Sequence, residues 1–225
     1  MIHYHGTPIT PRDALYRIAG RSFCVSFSDP RDIAACREIA TSIMLDNGAF
    51  SAWRQGKPTN WPGYYAWVEE WLGPADFAVI PDVIDGDESR NDALIAEWPH
   101  GFHGSPVWHL HEGLDRLARL VDEWPLVCLG SSGSFAQIGT PQWERRMDAA
   151  FNRVGRGRFT PRLHGLRMLS LAGKRWPLAS ADSTDIARNH ATERWKTIER
   201  RAFEWDIRNP PHRWTERPEQ LELVA

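Results

Sequence analysis

Leu45-Asp46-Asn47-Gly48-Ala49-Phe50 is the stretch that decides the fold, because a short apolar run ends here in an acid and a glycine-containing turn. The same rhythm, an apolar run, a polar or Gly-rich turn and then a helix-like segment, occurs eight times along the chain. The clearest further turns are Ile80-Pro81-Asp82, Trp108-His109-Leu110-His111, Leu129-Gly130-Ser131 and Ser180-Ala181-Asp182. Strands that alternate with helices favour parallel βαβ units. The sequence therefore predicts an α/β fold, a single (β/α)8 TIM-type barrel, with an open doubly wound sheet as the alternative.

The eight predicted strands are short apolar runs. They are Ile2–His5, Phe23–Phe27, Ser42–Leu45, Phe77–Ile80, Pro106–Leu110, Leu126–Leu129, Arg162–Arg167 and Pro177–Ala181. A polar loop from Asn47 to Asn60 is predicted before the helix near Trp61–Leu72, and a loop of this length in a compact domain is often functional. Residues 1–225 are predicted to form one near-minimal barrel domain, with an irregular tail from about residue 208.

The composition excludes several classes of protein. No apolar run approaches the roughly 18 residues of a membrane span, and the segment Met1–His5 lacks the basic and apolar regions of a secretory signal. We therefore expect no membrane association and a cytoplasmic location. The cysteines form no CxxC pair, so a structural zinc site of the usual spacing is not expected. No GxGxxG or P-loop pattern is present, and no cofactor is predicted.

The charges are unevenly distributed along the chain. The net charge is −2, yet residues 141–175 contain nine basic and two acidic side chains. A basic stripe of this kind attracts a polyanion, and a solvated surface with ordinary ion pairs is the alternative. The candidate nucleic-acid contacts are Arg156, Arg158, Arg162 and Arg188.

Closing a barrel brings the carboxyl ends of all its strands to one rim, where enzymes of this fold hold their chemistry. We expect Asp46, Asp82 and Asp182 to converge there, together with His5, His109, His111 and His164. Two carboxylates are suited to breaking a glycosidic bond, because one attacks the anomeric carbon while the other handles the proton of the leaving group. A third carboxylate accepts the N–H donors on the edge of a purine, and a backbone N–H at a glycine such as Gly130 donates to its carbonyl.

These residues resemble a known family. The segment 45–50 resembles the D-S-G-G-F-Q turn of tRNA-guanine transglycosylases. Asp82 follows the fourth strand, His109 the fifth, Gly130 the sixth and Asp182 the eighth, which is the order of the family's polar turns. His164-Gly165-Leu166 stands where the family has a Met-Gly-Val-like strand. The resemblance extends over about residues 22–188 at low identity.

The resemblance implies an enzyme that exchanges guanine in a polynucleotide for a 7-deazaguanine base, preQ0 or a derivative, through a covalent aspartyl intermediate at C1′. It implies Asp182 as the nucleophile and Asp46 as the general acid/base. The base contacts that it implies are Asn47, Phe50, Asp82, His109, Gly130 and His164. Of these, Phe50 and His164 would sandwich the ring.

Three departures from the family favour DNA over tRNA as the polymer. The family's zinc-binding cysteine cluster and its extended C-terminal region are missing, and Ser183-Thr184-Asp185 replaces its Pro-Thr-Arg motif. Short relatives without zinc resemble the phage and bacterial proteins that place 7-deazaguanines into DNA, which for a phage protein implies the host cytoplasm. The target base must leave the stack to reach a pocket inside the rim.

Three other functions fit parts of the same pattern. A metal-dependent hydrolase of the amidohydrolase type would use His3 and His5, His109 or His111, and Asp182 as ligands. A nucleosidase or glycosidase would use the same acids with water as the acceptor. A barrel that only binds nucleic acid would need none of the acids. The residues leave the roles of His3, His5 and His111 open.

Overall fold

The structure, a computed structural model, describes residues 1–155, 161–192 and 196–217. Nine strands form one parallel sheet in the order β5-β4-β3-β2-β1-β9-β8-β7-β6. They are β1 Ile2–Gly6, β2 Ser22–Ser26, β3 Ser42–Asp46, β4 Phe77–Val79, β5 Gly104–Ser105, β6 Val107–His109, β7 Val127–Gly130, β8 Leu163–Gly165 and β9 Ser180–Ser183. The chain is therefore an α/β protein whose sheet curls into a nearly closed barrel.

The count of nine strands differs from the predicted eight because a short additional strand, β5, precedes the predicted fifth strand, which corresponds to β6. β5 pairs with β4, whereas β6 pairs with β7 on the other side. Pro106 lies between them and has no amide hydrogen to give to a ladder. Its carbonyl accepts a hydrogen bond from the Cys128 amide at 2.8 Å, and the Ser105 carbonyl accepts one from Ile80 at 3.0 Å. The two edges of the sheet are thus neighbours in the chain, and the barrel nearly closes at this segment.

Helices follow most of the strands. In the described residues they are α1 Arg12–Tyr16, α2 Ile33–Ile39, α3 Ala49–Gln55, α4 Trp61–Trp71, α5 Glu88–Ala96, α6 Leu114–Glu123, α7 Pro141–Val154, α8 Asp185–Asn189 and α9 Ile198–Asp206. Short 3₁₀ turns lie at Gly101–His103, Gly133–Phe135 and Leu169–Leu171.

Helix α3 corrects the prediction of a continuous loop from Asn47 to Asn60. It begins directly after Gly48, whose φ of 75° is left-handed. A Cβ at this position would lie 3.1 Å from the Ser28 nitrogen, so both the backbone conformation and the space favour glycine. The turn lets the chain pass from β3 into α3 without a long connection, and it places α3 beside the end of the strand.

Side chains alternate between the inside and the outside of the barrel along each strand. The inner core contains Tyr4, Cys24, Met44, Phe77, Val79, Val107, Leu126 and Cys128. Two larger clusters fill the space between the strands and the surrounding helices; they include Phe23, Val25, Leu45 and Ile80 in one and Trp108, Leu129, Leu163 and Ala181 in the other. This alternation decides which polar residues of a strand face the barrel axis.

The last described residues pack outside the barrel. Residues 208–217 are irregular, and the Trp214 ring lies 5.4 Å from that of Phe151 on α7. The Trp214 indole N–H donates to the Asn152 side-chain oxygen at 2.9 Å. None of the helices in the described residues has the length and apolar character needed to span a bilayer.

Candidate active site

A cavity of about 520 Å³ opens at the carboxyl ends of the strands, the end at which barrel enzymes carry their chemistry. Asp46 of β3, Asp82 after β4 and Asp182 of β9 all line it. The structure thus brings together the three acids that the sequence places at strand ends. The other predicted residues in its wall are Asn47, Phe50, His109, Gly130 and Arg188.

Asp82 and His109 form a buried pair on one side of this cavity. The His109 Nε2 lies 2.9 Å from one carboxylate oxygen of Asp82. The other oxygen accepts a hydrogen bond of 2.7 Å from the Asn47 amide. A carboxylate has about four lone-pair sites, so Asp82 still has capacity to accept from a ligand. Its orientation is set by two partners before anything binds.

Asn47 itself has no spare donor. Its amide nitrogen donates to the Ile80 carbonyl and to Asp82, and its oxygen accepts from the Ala49 amide at 2.8 Å. The sequence resemblance implies that Asn47 contacts the base directly. The geometry instead makes it a positioning residue, because both amide hydrogens are already used to orient Asp82 and to tie the β4 turn to the β3 turn.

Behind His109, a buried network fixes the turn that carries it. One Glu112 carboxylate oxygen accepts from the His109 amide at 2.8 Å and from the Arg116 guanidinium at 2.6 Å. The other accepts from Asn91 at 3.0 Å, and Asn91 in turn accepts from the Val83 amide. The network therefore connects the turns after β4 and β6. It holds Asp82 and His109 at the distance that pairs them.

Asp182 is held by one of its two oxygens. Its Oδ1 accepts a hydrogen bond of 2.7 Å from the Arg167 amide and lies 3.3 Å from the His164 Nε2. Arg167 has a φ of 60°, and it is the non-glycine residue with a left-handed backbone among the described residues. Such strain persists where the surroundings demand it and clusters at functional sites. In the described residues Oδ2 has no hydrogen-bond donor from the protein, so it is available to a ligand.

Asp46 differs from the other two acids in its protonation. Burial raises its pKa from 3.8 to about 6, and the neighbouring charges of Asp182 and Asp82 act in the same direction. Hydrogen bonds from Ser26 and the Gly48 amide oppose the rise without cancelling it. A carboxyl with a pKa near 6 holds its proton in part at neutral pH, which suits a general acid.

His164 does not line the cavity, which corrects its implied role in sandwiching a ring. It is fully buried below Asp182, where its ring lies 5.4 Å from Phe77 and 5.8 Å from Tyr4 in edge-on geometry. Its Nδ1 is 2.8 Å from the Ser180 hydroxyl. It therefore supports Asp182 from beneath. Leu166 lines the cavity on this side instead, because the chain turns outward after β8.

Gly130 lies against His109 in the cavity wall. A Cβ at position 130 would meet the His109 Nδ1 at 2.8 Å. Any larger residue would displace the imidazole and with it the Asp82 pair. The glycine turn that the sequence marks is thus needed for the close approach of β7 to His109.

His3 and His5 face outward, which corrects the expectation that His5 joins the rim. The His5 Nε2 lies 3.4 Å from Asp206 of α9, and the His3 Nε2 lies 2.8 Å from the Arg208 carbonyl. Tyr4, between them, points into the barrel. The ligand set of a metal hydrolase built on His3, His5 and Asp182 is therefore split between the two faces of the sheet.

His111 lies outside the cavity wall and packs its ring on that of His109 at 5.7 Å. Its Nδ1 is 2.7 Å from the Ser132 hydroxyl. His111 therefore packs behind the Asp82–His109 pair. Within the described residues, no cluster of three or more His, Cys, Asp or Glu side chains has metal-binding geometry.

In the described part of the basic segment 141–175, several of the cations already have partners. Arg146 donates to the Leu110 carbonyl, while Arg153 and Arg175 pair with acids. Arg162 directly precedes β8 and so lies at the amino end of the strands, opposite the cavity, which corrects its assignment as a contact near the site. Arg156 and Arg158 lie outside the described residues.

Two arginines of the cavity wall are not among the residues predicted from the sequence. Arg54 of α3 and Arg167 after β8 both line the cavity and lie over the Phe50 ring, with guanidinium carbons 6.0 and 3.5 Å from its centroid. Arg54 was hidden because its segment was predicted as loop. Arg167 was placed inside a strand, although the following Met168-Leu169 already suggested a turn into a new apolar segment.

Comparison of the chain with protein-family models, with curated proteins and with solved structures found no match. The family resemblance therefore depends on the residues of the rim alone.

Proposed function

We propose that this chain is a nucleic-acid guanine transglycosylase that exchanges guanine for a 7-deazaguanine base, with DNA as the favoured polymer. The observation that carries the proposal is the convergence of Asp46, Asp82 and Asp182 on one cavity at the carboxyl ends of the strands. If β5 and β6 are counted as one strand interrupted at Pro106, the sheet has eight strands, the number in the TIM barrel that the proposed family uses.

Asp182 is the proposed nucleophile. Its free Oδ2 attacks C1′ of the target nucleotide, the C1′–O bond forms, and the C1′–N9 bond to guanine breaks. The Arg167 amide and His164 hold Oδ1 and so fix the carboxylate plane. The negative charge of Asp182 also stabilises the positive charge that develops on the sugar in the transition state.

Asp46 is the proposed acid and base. With its pKa raised to about 6 by burial, it keeps a proton that it gives to the departing guanine. In the second half of the reaction the incoming base loses its proton to Asp46 and attacks C1′. The C1′–O bond to Asp182 then breaks, and the enzyme returns to its starting state. One carboxyl thus serves both half-reactions.

Asp82 and His109 are proposed to recognise the base. The remaining lone pairs of Asp82 accept N–H groups of a purine edge. Buried polar groups of this kind discriminate strongly, because a base without the matching donors leaves Asp82 unpaired. Phe50 lines the cavity and offers a ring face for stacking.

A base-exchange assay tests the proposal. Duplex DNA and tRNA that carry radiolabelled guanine are each incubated with enzyme and unlabelled preQ0, and the released label is counted. We expect release from DNA, and no release with Asp182→Asn. Release from tRNA alone would move the substrate to RNA. Release from neither polymer, or full release with Asp182→Asn, would overturn the proposal.

A further inference from the structure

Two guanidinium groups share one aromatic ring at the mouth of the cavity. Arg167 lies 3.5 Å from the centroid of Phe50, and Arg54 lies 6.0 Å from it. The positive charge of Arg54 lowers the pKa of Arg167, although burial is the larger cause of that shift. Two like charges held on one ring repel each other, so the arrangement favours an anion between or above them.

Ten arginines outside the cavity are held by acids. Ion pairs with carboxylates are made by Arg17, Arg21, Arg31, Arg37, Arg116, Arg119, Arg153, Arg175, Arg200 and Arg201. Over the described ranges 1–155, 161–192 and 196–217, Arg54, Arg167 and the third cavity arginine, Arg188, have no such carboxylate partner. The guanidinium groups that line the cavity are thus available for a ligand.

The acids near the mouth are already engaged. Asp29 lines the cavity but pairs with Arg31, and Asp85 accepts a hydrogen bond from the Trp53 indole. Asp46 and Asp182 lie deeper and raise the pKa of Arg167 only through space. The charge in the cavity therefore changes sign with depth. Carboxylates lie at the floor, and exposed guanidinium groups lie at the opening.

We propose that Arg54 and Arg167 form a phosphate subsite, with Arg188 contributing from α8, that binds the sugar–phosphate backbone next to the target nucleotide. A phosphate cannot approach the three acids at the floor, whereas guanidinium forks match its oxygens in two-point geometry. The substrate is then a nucleotide within a strand and not a free nucleoside. This inference builds on the proposed function, because it takes the ligand of the same cavity to be a polynucleotide.

The test uses binding in place of turnover. In the Asp182→Asn background, which cannot react, the affinity for a fluorescent single-stranded DNA containing one guanine is measured by anisotropy. A second single-stranded probe, used separately, carries neutral methylphosphonate linkages on both sides of its guanine. The variants are Arg54→Gln, Arg167→Gln and the double variant. Arg200→Gln, on exposed α9, is the matched control for the loss of one arginine.

We expect the double variant to bind the natural strand on the order of 100-fold more weakly, about tenfold for each arginine. The slope of log affinity against log salt should fall by about 1.4, since each contact with a single strand contributes about 0.7. The neutral strand should bind weakly, with the same affinity for the Asp182→Asn parent and for the double variant. Arg200→Gln should leave the affinity for either strand unchanged. Arg54→Gln keeps the test valid if replacing Arg167 disturbs Asp182, because in the described residues no hydrogen bond or ion pair joins Arg54 to that acid.

An equal loss of affinity for the natural and the neutral strand, or no loss for either, would overturn the phosphate subsite. Base exchange by the wild-type enzyme on the same strand separates this result from the proposed function. Exchange without any effect of the arginines would leave the transglycosylase proposal standing and remove the subsite. Arginine-dependent binding without exchange would leave the phosphate subsite standing and remove the transglycosylase proposal.

Discussion

His109 and His5 each lie near the end of a parallel strand, each is buried, and each approaches an aspartate. His109 is 2.9 Å from Asp82, and His5 is 3.4 Å from Asp206. Yet Asp82 lines the cavity, while Asp206 also pairs with Arg21 in the layer between β1 and α9. The same two side-chain types thus form the proposed recognition pair at the rim and a packing contact outside it. What separates them is the face of the strand on which they lie.

The two regions differ most in what removing an acid does to chemistry. Asp182→Asn takes away the proposed nucleophile, so the rate of base exchange should fall by at least about 10⁴-fold. Asp206→Asn, outside the barrel, should leave that rate unchanged. Single-turnover release of labelled guanine measures both. Similar rates for the two variants would remove the distinction between rim and outer layer.

The second prediction concerns the pH dependence of guanine release. Because the raised pKa of Asp46 is about 6, its acid form is lost as the pH rises above that value. The single-turnover rate should therefore fall above about pH 6. Asp46→Asn should lower the rate by about 10²–10⁴-fold and abolish this pH dependence. A variant that keeps the wild-type profile would assign the acid role to another group.

The third prediction concerns the stability cost of Asp46. The folded chain keeps this proton up to about pH 6, whereas the unfolded chain loses it near 3.8. Since the folded state binds more protons in this window, the Asp46 contribution to stability falls as the pH rises through it. Asp46→Asn should raise the free energy of unfolding by about 3 kcal/mol at pH 8 and by much less at pH 4. Urea unfolding at both pH values measures this.

Asp206 should show the opposite sign. Burial opposes the charged form, but hydrogen bonds from His5 and Arg21 outweigh it and lower the pKa of Asp206. Its stabilising contribution is present above the unfolded pKa and disappears as the pH falls through the lowered value. Asp206→Asn should cost about 1 kcal/mol at pH 8, a modest figure because the pair is partly exposed, and nothing in strong acid. A gain in stability at pH 8 would contradict this.

Much of the barrel could be predicted from the sequence. Apolar runs that end in Asp46, Asp82 and Asp182 marked strand ends, and parallel strands bring such ends to one side. The division at Pro106 was within reach, since proline removes a ladder donor. Helix α3 was not, because Gly48 and the polar residues after Gln55 look like a continuous loop.

The roles of individual side chains were harder to predict. Asn47, beside the Asp46 turn, uses both of its amide hydrogens within the protein, one on Asp82 and one on the Ile80 carbonyl. His164 lies one layer too deep to stack on a ligand. The number of basic residues in the segment 141–175 does not by itself indicate a cationic surface, because a count does not distinguish paired from free guanidinium groups.

By itself, the sequence determined the alternation of strands and helices and the positions of three acids at strand ends. Both follow from local patterns, since the polar turn after an apolar run is written in consecutive residues. The tertiary structure alone decided which histidines enter the barrel, that Arg54 and Arg167 meet on Phe50, and that burial raises the pKa of Asp46 to about 6. These depend on which face of a strand turns inward and on how neighbouring strands exclude water. Both are properties of the closed sheet and not of any one segment.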